Sequence, residues 1–232
     1  MSGNSSLWYF ENVDLYNLMC PTKSPDLENR HQPNVYQKED VIYFQQDRSS
    51  HIYMISEGRV KIGGYTSDGK ELVKAILGKG ELFGEMALTG EERRSDFAKA
   101  LDNGTRVCTM SLEDMNSLIK EDDTLSFKIL KLIGFRLKKV ERRLESLVFK
   151  DARTRIIEFL KELADERGQK VGYETMIKNH FTHKDIASLT GTSRQTVTTI
   201  MNELKEKNLI NFDRRRILIR DMERLMEEMT VS

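Results

Sequence analysis

The chain has 232 residues, of which 38% are hydrophobic and 32% charged, and its 37 basic residues balance its 37 acidic ones. This length suits one large domain or two small ones, and the zero net charge excludes a surface that is basic overall. No run approaches 18 uninterrupted apolar residues, which excludes a transmembrane helix. Two cysteines exclude a disulfide framework and a four-thiolate metal site. We expect a reducing, cytoplasmic compartment.

After a lead-in at 1–34 with three prolines, the chain breaks into short segments rich in β-branched and aromatic residues. Turns containing Gly, Asp or Asn separate these segments, which recur at intervals of roughly ten residues. Such a series predicts a closed or double-sheet β-structure. The predicted strands lie at 41–44, 51–55, 59–62, 71–77, 97–101 and 106–110.

The pattern becomes helical from Leu125 to Leu147, a stretch with no proline and one glycine. Aliphatic residues recur there at spacings of 3, 4, 3, 4 and 3, which is the heptad pattern of a coiled coil. Two interpretations fit such a stripe: a helix packed on its own β-domain, or a seam between two subunits. Because the spacing persists over almost three heptads, we predict a homodimer. The predicted seam residues are Leu130, Ile133, Leu137, Val140, Leu144 and Leu147.

The segment THKDIASLTGTSRQTVTTIMNELKEKNLI at 182–210 carries the strongest local signals. Thr182 caps its first helix, with Asp185 as the partner in an acidic variant of the capping box. Gly191 supplies the tight turn that ends this helix, and Ser193 caps the next one. Two helices joined by such a turn predict a helix-turn-helix.

The second helix of this segment has one apolar face and one polar face. The apolar residues follow the i, i+3, i+4, i+7 pattern of a buried face, and they are Val197, Ile200, Met201 and Leu204. The polar face offers Arg, Gln, Thr and Asn, which can contact base edges in a major groove. A face that is merely solvated, the alternative interpretation, would favour Lys and Glu. The predicted DNA-binding residues here are Ser193, Arg194, Gln195, Thr198, Thr199 and Asn202.

A predicted hairpin follows at 208–221, with two short strands joined by the sequence DRRR. Its tip carries Arg214, Arg215 and Arg216, and no acidic run lies beside them. We expect these three arginines to lie against the phosphate backbone of DNA.

With these features in this order, residues 35–220 resemble the Crp/Fnr family of bacterial transcription regulators. The resemblance implies an α+β fold with an N-terminal double-stranded, jelly-roll-like β-roll, a long dimerisation helix and a C-terminal winged helix-turn-helix. We assign these parts to 1–122, 123–150 and 151–232, and we predict a helix at 152–167. The expected partners are double-stranded DNA with a palindromic operator, a second copy of the chain and RNA polymerase, and no membrane.

The segment FGEMALTGEERRSDFAKA at 83–100 resembles the phosphate-binding cassette of that family and of cyclic-nucleotide-binding domains in kinases. The resemblance implies that Gly84 approaches the ligand and that Glu85 accepts a hydrogen bond from a ribose hydroxyl. It also implies that Arg94 and Ser95 hold a cyclic phosphate. The implied effector is a cyclic nucleotide or another small molecule.

Asp96 departs from the pattern, because nucleotide-binding members usually have Ala or Thr at this position. A carboxylate there repels a cyclic phosphate, and Arg93 can offset part of this repulsion by pairing with it. On the long helix, Val140 and Glu141 stand where cAMP-activated members place two hydroxyls for the adenine. We therefore expect the fold of a phosphate pocket without tight cAMP binding.

Neither a catalytic motif nor a metal-ligand spacing emerges from the sequence, so we expect no enzyme activity and no metal site. A second interpretation is a cyclic-nucleotide-binding regulatory protein that acts on a protein partner. The first 150 residues alone would permit it. The helix-turn-helix favours the DNA-binding regulator.

Overall fold

The computed structural model of the protein describes residues 33–121, 123–178, 181–213 and 215–229. The predicted lead-in therefore lies outside the described residues, apart from its last two. The first described elements are strands and one 3-10 helix. They are β1 (Asn34–Tyr36), β2 (Val41–Tyr43), β3 (His51–Glu57), β4 (Val60–Tyr65), β5 (Glu71–Leu77), β6 (Leu82–Phe83), the 3-10 helix (Glu85–Thr89), β7 (Phe97–Ala100) and β8 (Thr105–Ser111).

These strands form two antiparallel sheets, in the orders β1-β8-β3-β6 and β2-β7-β4-β5. Apolar residues from both sheets make one core, in which Ile55, Val60, Ala98 and Val107 are fully buried. The double-sheet prediction is confirmed, as are all six predicted strands. The additional strands β1 and β6, which have three and two residues, were not predicted.

Two helices follow the β-structure. They are α1 (Leu112–Glu121) and the long helix α2 (Asp123–Phe149). The helix predicted from 125 to 147 is confirmed, with two more residues at each end. One stripe of α2 is buried, and it consists of Leu125, Ile129 and Leu132. The described residues divide into two compact units, and the division falls inside α2, between Ile133 and Gly134.

The second unit contains four further helices and a third sheet among its described residues. The elements are α3 (Ala152–Arg167), β9 (Gly168–Val171), β10 (Glu174–Lys178), α4 (His183–Thr190), α5 (Arg194–Glu206), β11 (Ile210–Phe212), β12 (Arg216–Ile219) and α6 (Met222–Glu227). The sheet is antiparallel in the order β11-β12-β10-β9. Helices α3, α4 and α5 share a core with this sheet, which includes Ile156, Ile186, Val197 and Ile217.

The prediction for this unit is confirmed for the helix at 152–167, for the helix-turn-helix and for the β11–β12 hairpin. The β9–β10 hairpin was not predicted. Over the described residues, no helix is both long enough and apolar enough to span a membrane.

Candidate nucleic-acid interface and effector pocket

Local hydrogen bonds set the two helices of the helix-turn-helix. The Thr182 hydroxyl accepts from the Asp185 backbone N–H at 3.1 Å, and the Asp185 carboxylate accepts from the Thr182 backbone N–H at 2.9 Å. Gly191 ends α4 with φ of 63°, a conformation that glycine adopts without strain. The Ser193 hydroxyl then accepts from the Thr196 backbone N–H at 3.0 Å. The predicted capping box, turn and second cap are all confirmed.

Helix α5 has the two faces that its sequence predicts. Its four predicted inner residues are all buried, and Val197 and Leu204 are 0% exposed. On the other side, five of the six predicted DNA-binding residues are exposed. These are Ser193, Arg194, Gln195, Thr199 and Asn202. The structure therefore brings a charged, amide-bearing and hydroxyl-bearing surface to one face of α5, which extends from its N-terminus to Asn202, as base reading in a major groove requires.

Thr198 differs from the other five, because it is half-buried and its hydroxyl has partners within the protein. The hydroxyl donates to the Arg194 carbonyl at 2.9 Å and lies 2.9 Å from His183 Nδ1. A hydroxyl has one hydrogen to donate, so while it donates to the Arg194 carbonyl it can only accept from His183 Nδ1. Burial lowers the pKa of His183, and the nearby Arg194 lowers it further. Thr198 therefore presents its methyl group more readily than its hydroxyl.

The tip of the β11–β12 hairpin is organised by an acidic residue, Asp213. Its carboxylate accepts from the backbone N–H groups of Arg215 at 2.7 Å and Arg216 at 3.0 Å. It also accepts from Arg216 Nε at 3.0 Å. These hydrogen bonds lower the pKa of Asp213, and the one from the Arg215 backbone N–H lowers it most. The Arg216 charge is thus partly compensated, whereas Arg215 is exposed with no acidic partner among the described residues. Arg214 lies outside them.

The effector cassette is centred on Arg94, which is 1% exposed. Its Nη1 donates to the Gly84 carbonyl at 2.9 Å, its Nη2 donates to the His51 carbonyl, and its guanidinium lies 4.6 Å from the centre of the Tyr43 ring. Gly84 has φ of 73°, and a Cβ there would come within 2.9 Å of Arg94 Nη1. The cassette therefore requires glycine at 84, and Arg94 ties it to strand β3. Glu85, beside Gly84, is also buried.

A carboxylate of the protein already accepts the backbone hydrogen bond that a phosphate would need. The Ser95 N–H donates to Glu91 Oε1 at 3.1 Å, and the buried Ser49 hydroxyl donates to Glu91 Oε2 at 3.3 Å. Of the two residues expected to hold a phosphate, Arg94 is thus bonded to carbonyl groups and Ser95 to a carboxylate. Sequence reasoning missed Ser49 and Glu91, because nothing local marks either as a partner of Ser95.

Asp96 lies next to this arrangement. The Tyr43 hydroxyl donates to its carboxylate at 3.0 Å, and Lys74 Nζ lies 3.9 Å from its Oδ2. Burial raises the pKa of Asp96, and Glu91 raises it further, whereas Lys74 opposes the shift. The expectation that Arg93 pairs with Asp96 is wrong, because the Arg93 guanidinium donates to the Gln46 carbonyl at 3.0 Å. The cation that approaches Asp96 instead comes from strand β5.

The predicted seam of α2 is apolar and open in the single chain. Its six residues are between 37% and 64% exposed, and the buried stripe of the helix uses other positions. The buried stripe and the seam therefore consist of different residues, although Leu147 of the seam also lies against the turn at Gly191. One side packs within the chain, and the seam remains available to a second copy.

Comparisons with protein families match both parts of the chain. Residues 33–122 match the cyclic nucleotide-binding domain, and residues 154–228 match the Crp-like helix-turn-helix domain. The first match contains the cassette, and the second contains α4, α5 and the β11–β12 hairpin.

Whole-chain relatives have the same arrangement. The chain is 30% identical to a cyclic AMP receptor protein of Thermus thermophilus, over 85% of this chain and 87% of that protein. It is 27% identical to a CRP-like cAMP-activated global transcriptional regulator of Mycobacterium tuberculosis, over 88% and 91%. A CooA mutant from Carboxydothermus hydrogenoformans shares the fold, with a TM-score of 0.78, 24% identity and coverage of 95% and 97%.

Regulators of this family bind DNA through the helix-turn-helix and function as dimers, and none of the relatives above is described as an enzyme. The family resemblance drawn from the sequence is confirmed over both domains, together with the function as a DNA-binding regulator. The second interpretation, a regulatory protein that acts on a protein partner, does not account for the matched helix-turn-helix. The chain belongs to the Crp/Fnr family of transcription regulators.

Proposed function

We propose that the protein acts in the cytoplasm as a homodimer that reads a palindromic operator and contacts RNA polymerase. Residues 1–122, 123–150 and 151–232 serve in this proposal as sensor, dimerisation helix and DNA-binding domain. The observation that carries it is the exposed polar face of α5, backed by a fully apolar inner face. Two such helices related by a dimer axis read half-sites about 34 Å apart, or about 10–10.5 base pairs.

Within each half-site, we assign base reading to Arg194 with its neighbours Gln195, Thr199 and Asn202. Arg194 stands at the first position of α5 with an exposed side chain, where it can bond guanine bidentately. Arg215 is assigned to the phosphate backbone, because its charge is free of acidic partners in the described part of the chain. Arg216 contributes less to phosphate binding, since Asp213 compensates it.

The experiment compares Arg194→Ala with Arg215→Ala on DNA duplexes that the wild-type protein selects. Arg194→Ala is expected to weaken binding by about 1–3 kcal/mol and to relax the preference at one base pair per half-site. Arg215→Ala is expected to weaken all sequences alike and to reduce the salt dependence by about one unit for each phosphate that the arginine neutralises. Equal, sequence-independent losses in both variants would refute these roles.

For the β-roll, we propose an effector pocket that does not bind cyclic nucleotides tightly. The mycobacterial and Thermus relatives are named for cAMP, but three features of this chain oppose a cyclic phosphate. Both terminal nitrogens of the buried Arg94 are bonded to carbonyl groups, which leaves only its Nε without a partner among the described residues. Glu91 accepts the Ser95 N–H, and Asp96 adds a second carboxylate. A carboxylate about 5 Å from a singly charged phosphate costs about 3 kcal/mol at an effective dielectric constant of about 20, or roughly a hundredfold in affinity.

Lys74 and Tyr43 compensate part of the Asp96 charge, so the electrostatic cost is an upper value. The protein then acts without an effector or with a small molecule of other chemistry. Isothermal titration with cAMP and cGMP tests the proposal, with Asp96→Ala as the variant expected to gain affinity. A submicromolar dissociation constant for the wild-type protein, abolished in Arg94→Ala, would contradict it.

A further inference from the structure

The turn of the helix-turn-helix is held by a side chain from the long helix α2. Arg143 Nη2 donates to the Ser188 carbonyl at 2.6 Å. Ser188 lies in the last turn of α4, where carbonyl groups have no partner within their own helix. Arg143 is half-buried, and this burial lowers the pKa of its guanidinium. This short, half-buried hydrogen bond holds α2 at a set distance from the end of α4.

A second contact joins α2 to the turn of the helix-turn-helix. Gly191 forms the turn after α4, and a Cβ at this position would lie 2.3 Å from Leu147 Cδ2. The backbone of the turn therefore packs directly on the last part of α2. From the start of α3, Arg155 donates to the Thr190 carbonyl at 2.7 Å and to the Gly191 carbonyl at 3.2 Å.

Within one compact unit, these contacts connect the part of the predicted seam from Leu137 to Leu147 to the DNA-reading helix. Arg143 is adjacent in sequence to Leu144, a seam residue that is 62% exposed. Through Ser188 and Gly191, α2 contacts the turn, and α5 begins three residues after Gly191. A rotation of α5 relative to the seam would break these contacts.

We propose that Arg143 is a positioning residue that sets the half-site spacing the dimer accepts. The inference rests on the proposed function, because only a dimer on a palindrome has a spacing to select. Each recognition helix must meet its half-site on the same side of the duplex, so the distance and rotation between the two helices define one favoured spacing. Without the hydrogen bond from Arg143, each helix-turn-helix can rotate relative to the α2 helix of its own chain. Binding to the favoured spacing then weakens, and other spacings become more acceptable.

The experiment uses the full-length protein and DNA palindromes selected from a random library by the wild-type protein. Each palindrome is also made with one base pair inserted between the half-sites or removed. The variants are Arg143→Ala, Arg143→Gln, whose side chain is too short to reach the Ser188 carbonyl, and Arg143→Lys, which restores a long donor. Arg142→Ala is the matched control, because Arg142 is the exposed neighbour. Sedimentation and thermal unfolding are measured for every variant.

We expect the wild-type protein and Arg142→Ala to lose at least about tenfold in affinity when the spacing changes. In Arg143→Ala and Arg143→Gln the spacing ratio, which is the affinity for the parent palindrome divided by that for an altered spacing, should fall to about threefold or less. Binding to the parent palindrome should weaken, and the dimer should be unchanged. Arg143→Lys should recover part of the discrimination. The salt dependence should not change, because Arg143 bonds to the protein and not to phosphate.

A spacing ratio in Arg143→Ala or Arg143→Gln equal to that of the wild-type protein would overturn the inference. If Arg143→Ala unfolds, Arg143→Gln decides the question by the same ratio. A wild-type protein that selects single half-sites would contradict the dimeric palindrome itself, and the inference with it. Selection of a palindrome whose spacing preference is insensitive to Arg143 would contradict this inference alone.

Discussion

Replacing Leu137 and Leu144 with lysine should convert the dimer into monomers. The two side chains are 59% and 62% exposed in the single chain. Full burial of a leucine gains about 1.5–3 kcal/mol, so covering the exposed part of each gains about 1–2 kcal/mol. A dimer contains two copies of both, which together contribute about 4–7 kcal/mol, or roughly a thousandfold or more in the dissociation constant. Lysine removes this gain and places four positive charges in an apolar seam.

Sedimentation velocity at about 1 μM protein measures the effect. The wild-type chain should sediment as a dimer and the double variant as a monomer, with palindrome binding abolished as well, since the two half-sites are no longer read together. Phe135→Lys is the control, because Phe135 is 58% exposed on the same helix but lies about 160° from Leu137 around the helix axis. A dimeric double variant, or a monomeric wild-type protein, would refute the assignment of the seam.

Three further outcomes follow from the caps, the turn and the cassette. Thr182→Ala should lower the free energy of unfolding by about 1 kcal/mol, because the Asp185 N–H loses its acceptor, and an unchanged melting temperature would argue against the capping box. Gly191→Ala should destabilise by at least about 1–3 kcal/mol, since the new methyl group meets Leu147 at a positive φ; a neutral result in thermal unfolding would contradict the packing. Burial raises the pKa of Asp96, so its charge is lost at a higher pH than for an ordinary aspartate, and weak cAMP binding should strengthen as the pH falls through that pKa. Asp96→Asn should flatten this profile in titrations, and equal slopes would rule out Asp96 as the cause.

Features coded by neighbouring residues could be predicted from the sequence. The capping box at Thr182, the turn at Gly191 and the inner face of α5 all depend on residues within one or two helical turns of each other. Their physical causes are therefore contained in one short segment. The apolar heptad stripe on α2 can be recognised for the same reason, because heptad spacing is a property of a single helix, and its role as a dimer seam stays a prediction.

Features that bring distant strands together could not be predicted. Lys74 on β5 approaches Asp96, and Tyr43 on β2 donates to the same carboxylate. Which strands become neighbours depends on the order of the sheet, and no local pattern fixes that order. The sequence suggested Arg93 as the partner of Asp96 because it is close in the chain, but the backbone directs Arg93 to the Gln46 carbonyl.

The β9–β10 hairpin shows a different limit. Its strands, Gly168–Val171 and Glu174–Lys178, are four and five residues long and partly polar, and they directly follow a strong helical pattern. They join a sheet only because β10 pairs with β12 and β9 pairs with β10. Similarly, heptad spacing identifies the seam of α2 but not the stripe of Leu125, Ile129 and Leu132, whose burial depends on tertiary packing.

Selection of bound duplexes from random DNA, followed by sequencing, tests the central claim most directly. We expect enrichment of one palindrome, with half-site centres about 10–10.5 base pairs apart, and relaxed preference at one symmetric pair of positions in Arg194→Ala. Enrichment of a site without two-fold symmetry, or an Arg194→Ala selection identical to that of the wild-type protein, would contradict it.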